Sequence, residues 1–378
     1  MILLDFLGVR VGEQRGAERF ACRLVSELSV AAPGEYRVLI NRHSAEFFRR
    51  VLGREKCMVL PLSGGGRLVR ILVQMLVGSA LSWMLRPRLY VSTSVFPAVG
   101  FACPVAAFVY DLLLYQFPEV YSPMEWRIRN GLLSVSLRRL SAIFTISAAS
   151  AEDIRNRFGK TGIPAVRIVN CGTDQSVSES ENASDEEVLK GLGIVARRFV
   201  LSVLGGNEYK NQRGLAAAAE ELLRRAAGIE VVVVGDAWQV FESIPCPPNL
   251  RVMGVVSDRV LAALYRCARA LVYPTFFEGF GLPVIEAQAA GVPVVCSDLK
   301  VLREVGGGGA LFVDPHSPQS IADGIQAVSE DDALRRHLIQ RGLSNAERFT
   351  WCRTVEAFLA ACEATVKNGT GSDRVQRH

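Results

Sequence analysis

Residues 271–292 read LVYPTFFEGFGLPVIEAQAAGV, an apolar run that stops at Pro274 and restarts as a helix after Pro283. Ala270 to Tyr273 forms a short buried strand on this reading, and Thr275 to Leu282 is the loop at its carboxyl end. Open α/β sheets bind their ligands at that end. Gly279 and Gly281 lack a β-carbon, so Gly279-Phe280-Gly281-Leu282 can approach a ligand closely through its backbone. Pro283 suits the first turn of a helix, whose amide groups would point back at the loop and favour an anion. Seven residues separate Glu278 from Glu286, which lies one turn into the helix on the side facing the loop. Its carboxylate can accept from a pair of hydroxyls, as acidic side chains do with a ribose diol. Glu278 would reach another part of the same ligand. The arrangement asks for a nucleotide with a polyhydroxylated group on its phosphates. The plainer alternative makes Glu278 a helix cap, Glu286 a solvated helical residue and the glycines parts of a turn.

The whole string resembles the signature of retaining glycosyltransferases of family 4 in the sequence-based classification. Their architecture, GT-B, is an α/β fold with two facing Rossmann-like domains, an interdomain cleft and a C-terminal helix that crosses back to the first domain. Within the family, the chain is most similar to the bacterial mannosyltransferases of lipopolysaccharide O-antigen and exopolysaccharide assembly, which carry EGFGLP-type loops. The resemblance extends, with gaps, from about residue 8 to about residue 362.

Length and composition agree with two α/β domains. The chain has 378 residues, 49% hydrophobic and 21% charged, enough for two ordinary cores. Nine cysteines stand singly, without a CxxC pair or a cysteine/histidine set, which speaks against zinc and a disulfide framework and for reduced thiols in a cytoplasmic protein. Met1 to Leu7 runs into a first strand, with no signal-peptide pattern. Residues 1–175 hold 22 Lys and Arg against 13 Asp and Glu, and residues 176–378 hold 21 against 25. The basic half suits anionic lipid headgroups or anionic acceptors, hence a peripheral contact with the inner face of the plasma membrane. No RNP-like string, zinc finger or basic helical run supports nucleic acid as a partner.

The expected domains are an acceptor-binding domain over 1–178, a nucleotide-sugar-binding domain over 188–350, a crossover helix over 351–366 and a polar, disordered tail over 367–378. The serine- and acid-rich stretch Gln175 to Glu187 marks the boundary between the first two. In the first, Ile2 to Phe6 is a strand and a glycine-punctuated loop leads to a helix from about Ala17 to Leu28. By resemblance, Gly16 lets this loop approach the donor phosphate or the acceptor; an ordinary strand-to-helix turn is the alternative. Residues 67–88, RLVRILVQMLVGSALSWMLRPR, have 15 residues between the inner arginines, too few to span a bilayer as a helix. They read as a helix buried in the first domain or, alternatively, an interfacial helix with snorkelling arginines. Arg127, Arg129, Arg138 and Arg139 stand on a second helix, as a solvated face or as part of a basic surface. Val105 to Tyr110 is a strand ending in Tyr110-Asp111, where the family carries a His-Asp pair whose histidine faces the donor sugar. Tyr110 can donate to a sugar hydroxyl but is a poor proton shuttle. Asp111 fits the family pattern or caps a turn.

In the second domain, Phe199 to Leu204 is a strand followed by GGNEYKN. The resemblance puts Lys210 on the donor diphosphate, with Gly205 in the loop and Arg213 standing in for an absent family arginine. It also gives the backbone near Val255 and Val256 the edge of the base. Gly306 to Gly309 is no Walker loop, since no GK[ST] follows. The chain lacks a DxD string, so no metal or other cofactor is expected. Lys210 and the amides of residues 280–284 would stabilise the leaving group. The implied reaction moves a hexose, mannose by preference from GDP-mannose, to a glycan or polyprenyl-linked acceptor with retention. In it the acceptor hydroxyl attacks on the face the diphosphate leaves; a covalent route through Glu278 ranks second. Two other classes stay open: a catalytically degenerate nucleotide-sugar-binding scaffold of the same fold, and a GT-B-like nucleotide-sugar epimerase.

Overall fold

Short apolar runs such as LYVS at 89–92, VAAF at 105–108 and AIFT at 142–145 are buried along their whole length, as parallel strands are when helices cover both faces of their sheet. The computed structural model describes residues 1–12, 16–61, 67–96, 98–173 and 183–370. It divides into two compact units, Met1–Gly172 with Trp351–His378, and Thr173–Thr350.

The first unit runs β1 (Ile2–Asp5), α1 (Gly16–Ala31), β2 (Tyr36–Asn41), α2 (Ala45–Leu52), β3 (Cys57–Leu60), α3 (Arg67–Leu85), β4 (Leu89–Ser92), β5 (Val105–Phe108), α4 (Leu113–Gln116), α5 (Pro123–Leu137), β6 (Ala142–Thr145), α6 (Ala148–Phe158) and β7 (Ala165–Ile168). Its seven strands pair in parallel in the order β3-β2-β1-β4-β5-β6-β7. Right-handed crossovers put α1 and α2 on one face and α3, α5 and α6 on the other, because the strand order reverses at β1. The second unit runs α7 (Ala183–Gly191), β8 (Phe199–Val203), α8 (Gln212–Arg224), β9 (Glu230–Val234), α9 (Trp238–Glu242), β10 (Leu250–Val252), α10 (Asp258–Cys267), β11 (Ala270–Tyr273), α11 (Leu282–Ala289), β12 (Val294–Ser297), α12 (Lys300–Gly306), β13 (Ala310–Val313), α13 (Pro318–Glu330) and α14 (Asp332–Ala346). Its six strands are also parallel, in the order β10-β9-β8-β11-β12-β13, and the order reverses between β8 and β11. Two parallel-sheet, Rossmann-like units are the α/β architecture expected.

The last helix, α15 (Trp351–Thr370), returns to the first unit. Phe358 is buried there, stacked on Phe108 at 6.3 Å and edge-on to Phe144 at 6.0 Å. Trp351 meets Phe20 of α1. The expected tail starts too early: residues 367–370 continue this helix, and 371–378 lie outside the described residues. The expected linker also gives way at its end, because α7 begins at Ala183 and its Asp185 takes a two-pronged bond from Arg266 of α10, each contact 2.7 Å. Residues 174–182 lie outside the described residues. Strand β3 and helix α2 have no counterpart in the sequence reading.

Helix α3 is half-buried rather than buried. Ile71, Gln74 and Ser82 face the sheet, while Leu72, Leu76, Trp83 and Met84 are exposed. Gln74 fixes its position by donating to Asp5 Oδ2 (2.8 Å) at the end of β1. Tyr90 and Ser92 donate to the same oxygen, and the Leu7 amide to the other. Burial pushes the Asp5 carboxyl above its usual range against the opposing pull of these donors. Asp5→Asn turns an amide toward donors in a fully buried site. The expected loss is about 1–3 kcal/mol, read as a lower midpoint of thermal unfolding with the fold retained. No helix among the described residues is long and apolar enough to cross a membrane.

Candidate active site

Strands β8 and β11 lie side by side where the sheet order reverses, so a crevice opens beyond their carboxyl ends. From β8 the chain passes Gly205 and Gly206, makes a 3₁₀ turn over Glu208–Lys210, and enters α8 through Asn211. From β11 it passes Pro274 and enters α11 through Gly281. The two loops are stitched together. The Phe276 amide donates to the Tyr209 carbonyl at 2.8 Å. The buried Asn211 side chain accepts from Gly214 N at 3.0 Å, capping α8, and donates to the carbonyls of Pro274 (2.8 Å) and Pro315 (2.7 Å). One side chain thus ties together the segments that follow β8, β11 and β13.

This bracing brings Lys210 and Glu278 into contact. Lys210 Nζ stands 2.6 Å from Glu278 Oε1, with the two side chains 16% and 10% exposed. The Tyr273 hydroxyl, at the end of β11, donates to the same carboxylate oxygen at 2.6 Å and accepts from Lys210 Nζ at 3.3 Å. Burial, and then the charge of Glu278, push the Tyr273 phenol well above its usual range. It is therefore a hydrogen-bond donor at neutral pH and holds the carboxylate in place. A cation and a carboxylate held this way can address a departing phosphate and a sugar hydroxyl within one ligand.

Gly281 precedes α11 at φ +102°, a backbone conformation that favours glycine, and a β-carbon there would also push aside the end of the Leu302 side chain, 2.6 Å away. Glu286 is 5% exposed and accepts from the hydroxyl of Tyr265 on α10 at 2.8 Å. The alternative of a solvated helical Glu286 falls with this burial. The anion-facing amides expected over 280–284 are fewer than the count of residues, since Pro283 has no N–H and Val284 donates to the Gly281 carbonyl at 3.0 Å.

Other sequence-derived candidates are more dispersed. Gly279 and Phe280 are buried in the loop, Phe280 edge-on to Phe349, and Leu282 opens α11 half-buried. A β-carbon at Gly205 would meet nothing within 4 Å, whereas one at Gly206 would lie 2.5 Å from the Asp236 carbonyl oxygen. The tight approach belongs to the second glycine. Arg213 is exposed in the first turn of α8. Val255 is exposed and Val256 half-buried, just before Ser257, which caps α10.

Three candidates belong to the first unit. The Tyr110 hydroxyl is buried with its ring stacked on Phe108, and burial pushes its phenol far above the usual range. Asp111 accepts from the Leu113 amide at 2.9 Å, in the turn that precedes α4. Gly16 opens α1, exposed, and a β-carbon there would meet nothing within 4 Å.

Sequence reasoning passed over Asn211, Tyr273 and Tyr265. Tyr273 ends the strand five residues before Glu278, so the local sequence carries the signal for this pair. Asn211 follows Lys210 and sits in the left-handed region (φ +60°), which asparagine tolerates better than most residues. Nothing local in the sequence marks Tyr265 as the partner of Glu286.

A family model described as Glycosyl transferases group 1 matches residues 185–344, a span that contains both loops. The O-antigen chain mannosyltransferase B of Escherichia coli is 30% identical over 363 residues, covering 89% of this chain and 92% of that protein. A serotype-specific mannosyltransferase of Escherichia coli, WbdA, is 29% identical over 303 residues, which are 75% of this chain and 36% of that larger protein. Among solved structures, Alr3699/HepE of Anabaena in complex with UDP and glucose matches with a TM-score of 0.72 at 17% identity, over 96% of this chain and 99% of that one. This last likeness bears on the fold.

Proposed function

The chain belongs to the group 1 glycosyltransferases and is an enzyme that transfers a sugar, and on that premise we propose that it moves mannose from GDP-mannose to a glycan or polyprenyl-linked acceptor with retention at the anomeric carbon. The observation that carries the catalytic part is the Lys210–Glu278–Tyr273 cluster at the reversal point of the second sheet. The name of the E. coli relative supports the choice of mannose and of O-antigen assembly.

In this reading, Lys210 and the free amides at the start of α11 stabilise the departing nucleoside diphosphate. Glu278, oriented by Tyr273, accepts from sugar hydroxyls. Glu286, held by Tyr265, accepts from the ribose diol. The backbone at Val255 and Val256 borders the base. The acceptor hydroxyl attacks on the face the diphosphate leaves, forming the new glycosidic bond as the bond to the phosphate oxygen breaks. The departing phosphate takes the acceptor proton. Lys210 supplies the positive charge, and the absence of a DxD string supports a reaction that needs no metal. We place the enzyme on the cytoplasmic side of the membrane, in peripheral contact with it.

A thermal-shift and hydrolysis screen of the purified protein in EDTA, against GDP- and UDP-sugars, tests this. GDP-mannose at 100 times its Kd is expected to add about 2.7 kcal/mol of stability and to be hydrolysed slowly, with both effects lost in Glu286→Ala. A response to UDP-sugars alone would overturn the donor assignment. Turnover abolished by EDTA would overturn the metal-free chemistry.

A further inference from the structure

Helices α3 and α5 share one face of the first sheet, and their inner sides feed one core through Ile71, Leu137 and Leu140, with Tyr90 and Phe96. Their outer sides are unusual. Leu72, Leu76, Trp83 and Met84 on α3 are 57%, 72%, 61% and 77% exposed. Met124, Ile128 and Val135 on α5 are exposed as well. Single exposed apolar side chains are ordinary, but these two helices carry seven of the sixteen large apolar side chains exposed among the described residues, and clustering of that kind marks an interaction surface.

The two helices form a continuous surface through the loop after β4. Ser79 Oγ (2.6 Å) and Trp83 Nε1 (2.9 Å) both donate to the Gly100 carbonyl, and the Ala102 amide donates to Ser82 Oγ. A groove of about 680 Å³, lined by Ala98, Val135, Arg138 and Arg139, joins that loop to α5. Its charge is one-sided. Residues 67–88 contain no Asp or Glu, and in residues 120–141 Glu125 alone is acidic and is bound by Arg129. Arg86, Arg88, Arg127, Arg138 and Arg139 are exposed, with no acidic partner among the described residues.

We propose that this face, the outer sides of α3 and α5 with the loop around Gly100, seats on a bilayer that carries anionic lipids. The apolar side chains enter the acyl boundary, and the Arg138/Arg139 groove takes a lipid phosphate. Apolar side chains flanked by uncompensated arginines are the composition of an interfacial helix surface. Guanidinium groups match phosphate oxygens in geometry as well as charge. The proposal deepens the peripheral-contact part of the functional reading and does not depend on the donor assignment.

Vesicle flotation without any sugar donor tests it. The chain is expected to float with phosphatidylcholine vesicles containing about 30 mol% phosphatidylglycerol and weakly with phosphatidylcholine alone. Arg138→Glu/Arg139→Glu should lower partitioning about 100-fold, and Leu76→Ser/Met84→Ser about tenfold. Each variant is expected to keep the wild-type unfolding midpoint; Arg138→Gln/Arg139→Gln serves if the charge reversal does not fold. No flotation with anionic vesicles, or flotation unchanged in the variants, would overturn the proposal. A dimer seen by light scattering and dispersed by Leu76→Ser/Met84→Ser would also overturn it, by assigning the face to a second copy of the chain. Since no donor enters the assay, failure here leaves the GDP-mannose reading untouched, and failure there leaves this one untouched.

Discussion

Lys210→Met is expected to slow sugar transfer about 10²–10³-fold, while the protein stays folded. The ammonium is the cation at the crevice within 2.6 Å of Glu278 and in contact with Tyr273. In the proposed reaction it meets charge that develops on the leaving diphosphate, so its loss should fall on kcat rather than on KM. Stability should suffer less. Glu278 retains the Tyr273 hydroxyl and 10% exposure, so removal of the cation is expected to cost about 1–3 kcal/mol. Lys210→Arg should recover only part of the rate, because a planar fork does not reproduce a point charge set between a carboxylate and a phenol. Tyr273→Phe combined with Lys210→Met should cost less than the two single effects together, since the three groups touch one another. Single-turnover transfer at saturating donor, with the unfolding midpoint of each variant, measures this. A Lys210→Met rate within tenfold of wild type would remove Lys210 from the chemistry.

Asn211→Ala is expected to destabilise the second unit by about 4–7 kcal/mol, a large part of what holds a domain folded. Three losses combine. The α8 cap is removed, at about 1 kcal/mol. The Pro274 and Pro315 carbonyls lose their donor in a buried site, at about 1–2 kcal/mol each. Alanine must also take the left-handed backbone that Asn211 adopts at φ +60°, at about 1–2 kcal/mol. Asn211→Gly relieves the last cost and should be more stable than Asn211→Ala by about 1 kcal/mol. Asn211→Asp keeps the cap but sets a carboxylate against two carbonyls, and should be no better than alanine. Hydrogen exchange over 205–215 and 274–282, with thermal unfolding, reads these effects. A loss below about 2 kcal/mol for Asn211→Ala would mean that the loops are held by other contacts.

The sequence-derived strands around the crevice, Phe199 to Leu204 and Ala270 to Tyr273, match β8 and β11 to within a residue, because runs buried on both faces leave little freedom in their boundaries. The placement of Glu278, Gly281 and Glu286 around the start of α11 was legible for a related reason: one local string sets them. What escaped was set by distance in the chain. Asn211 finds its acceptors 63 and 104 residues away, and Glu286 finds Tyr265 on another helix. Lys210 and Glu278 each suggested a ligand contact, yet their contact with one another depends on two loops meeting across adjacent strands. The ambiguity over 67–88 has a physical origin as well. An apolar residue on the outer side of α3 reads the same as one on the inner side, so periodicity could not separate a buried helix from a half-buried one.

The return of α15 has a bearing on how the chain is made. The aromatic face formed by Phe20, Phe108 and Phe144 is covered by Trp351 and Phe358, residues that a ribosome delivers after the whole second unit. The second unit is contiguous and can fold as it emerges. The first, although synthesised earlier, holds an uncovered aromatic face throughout that interval, and is the part of the nascent chain that calls for chaperone protection.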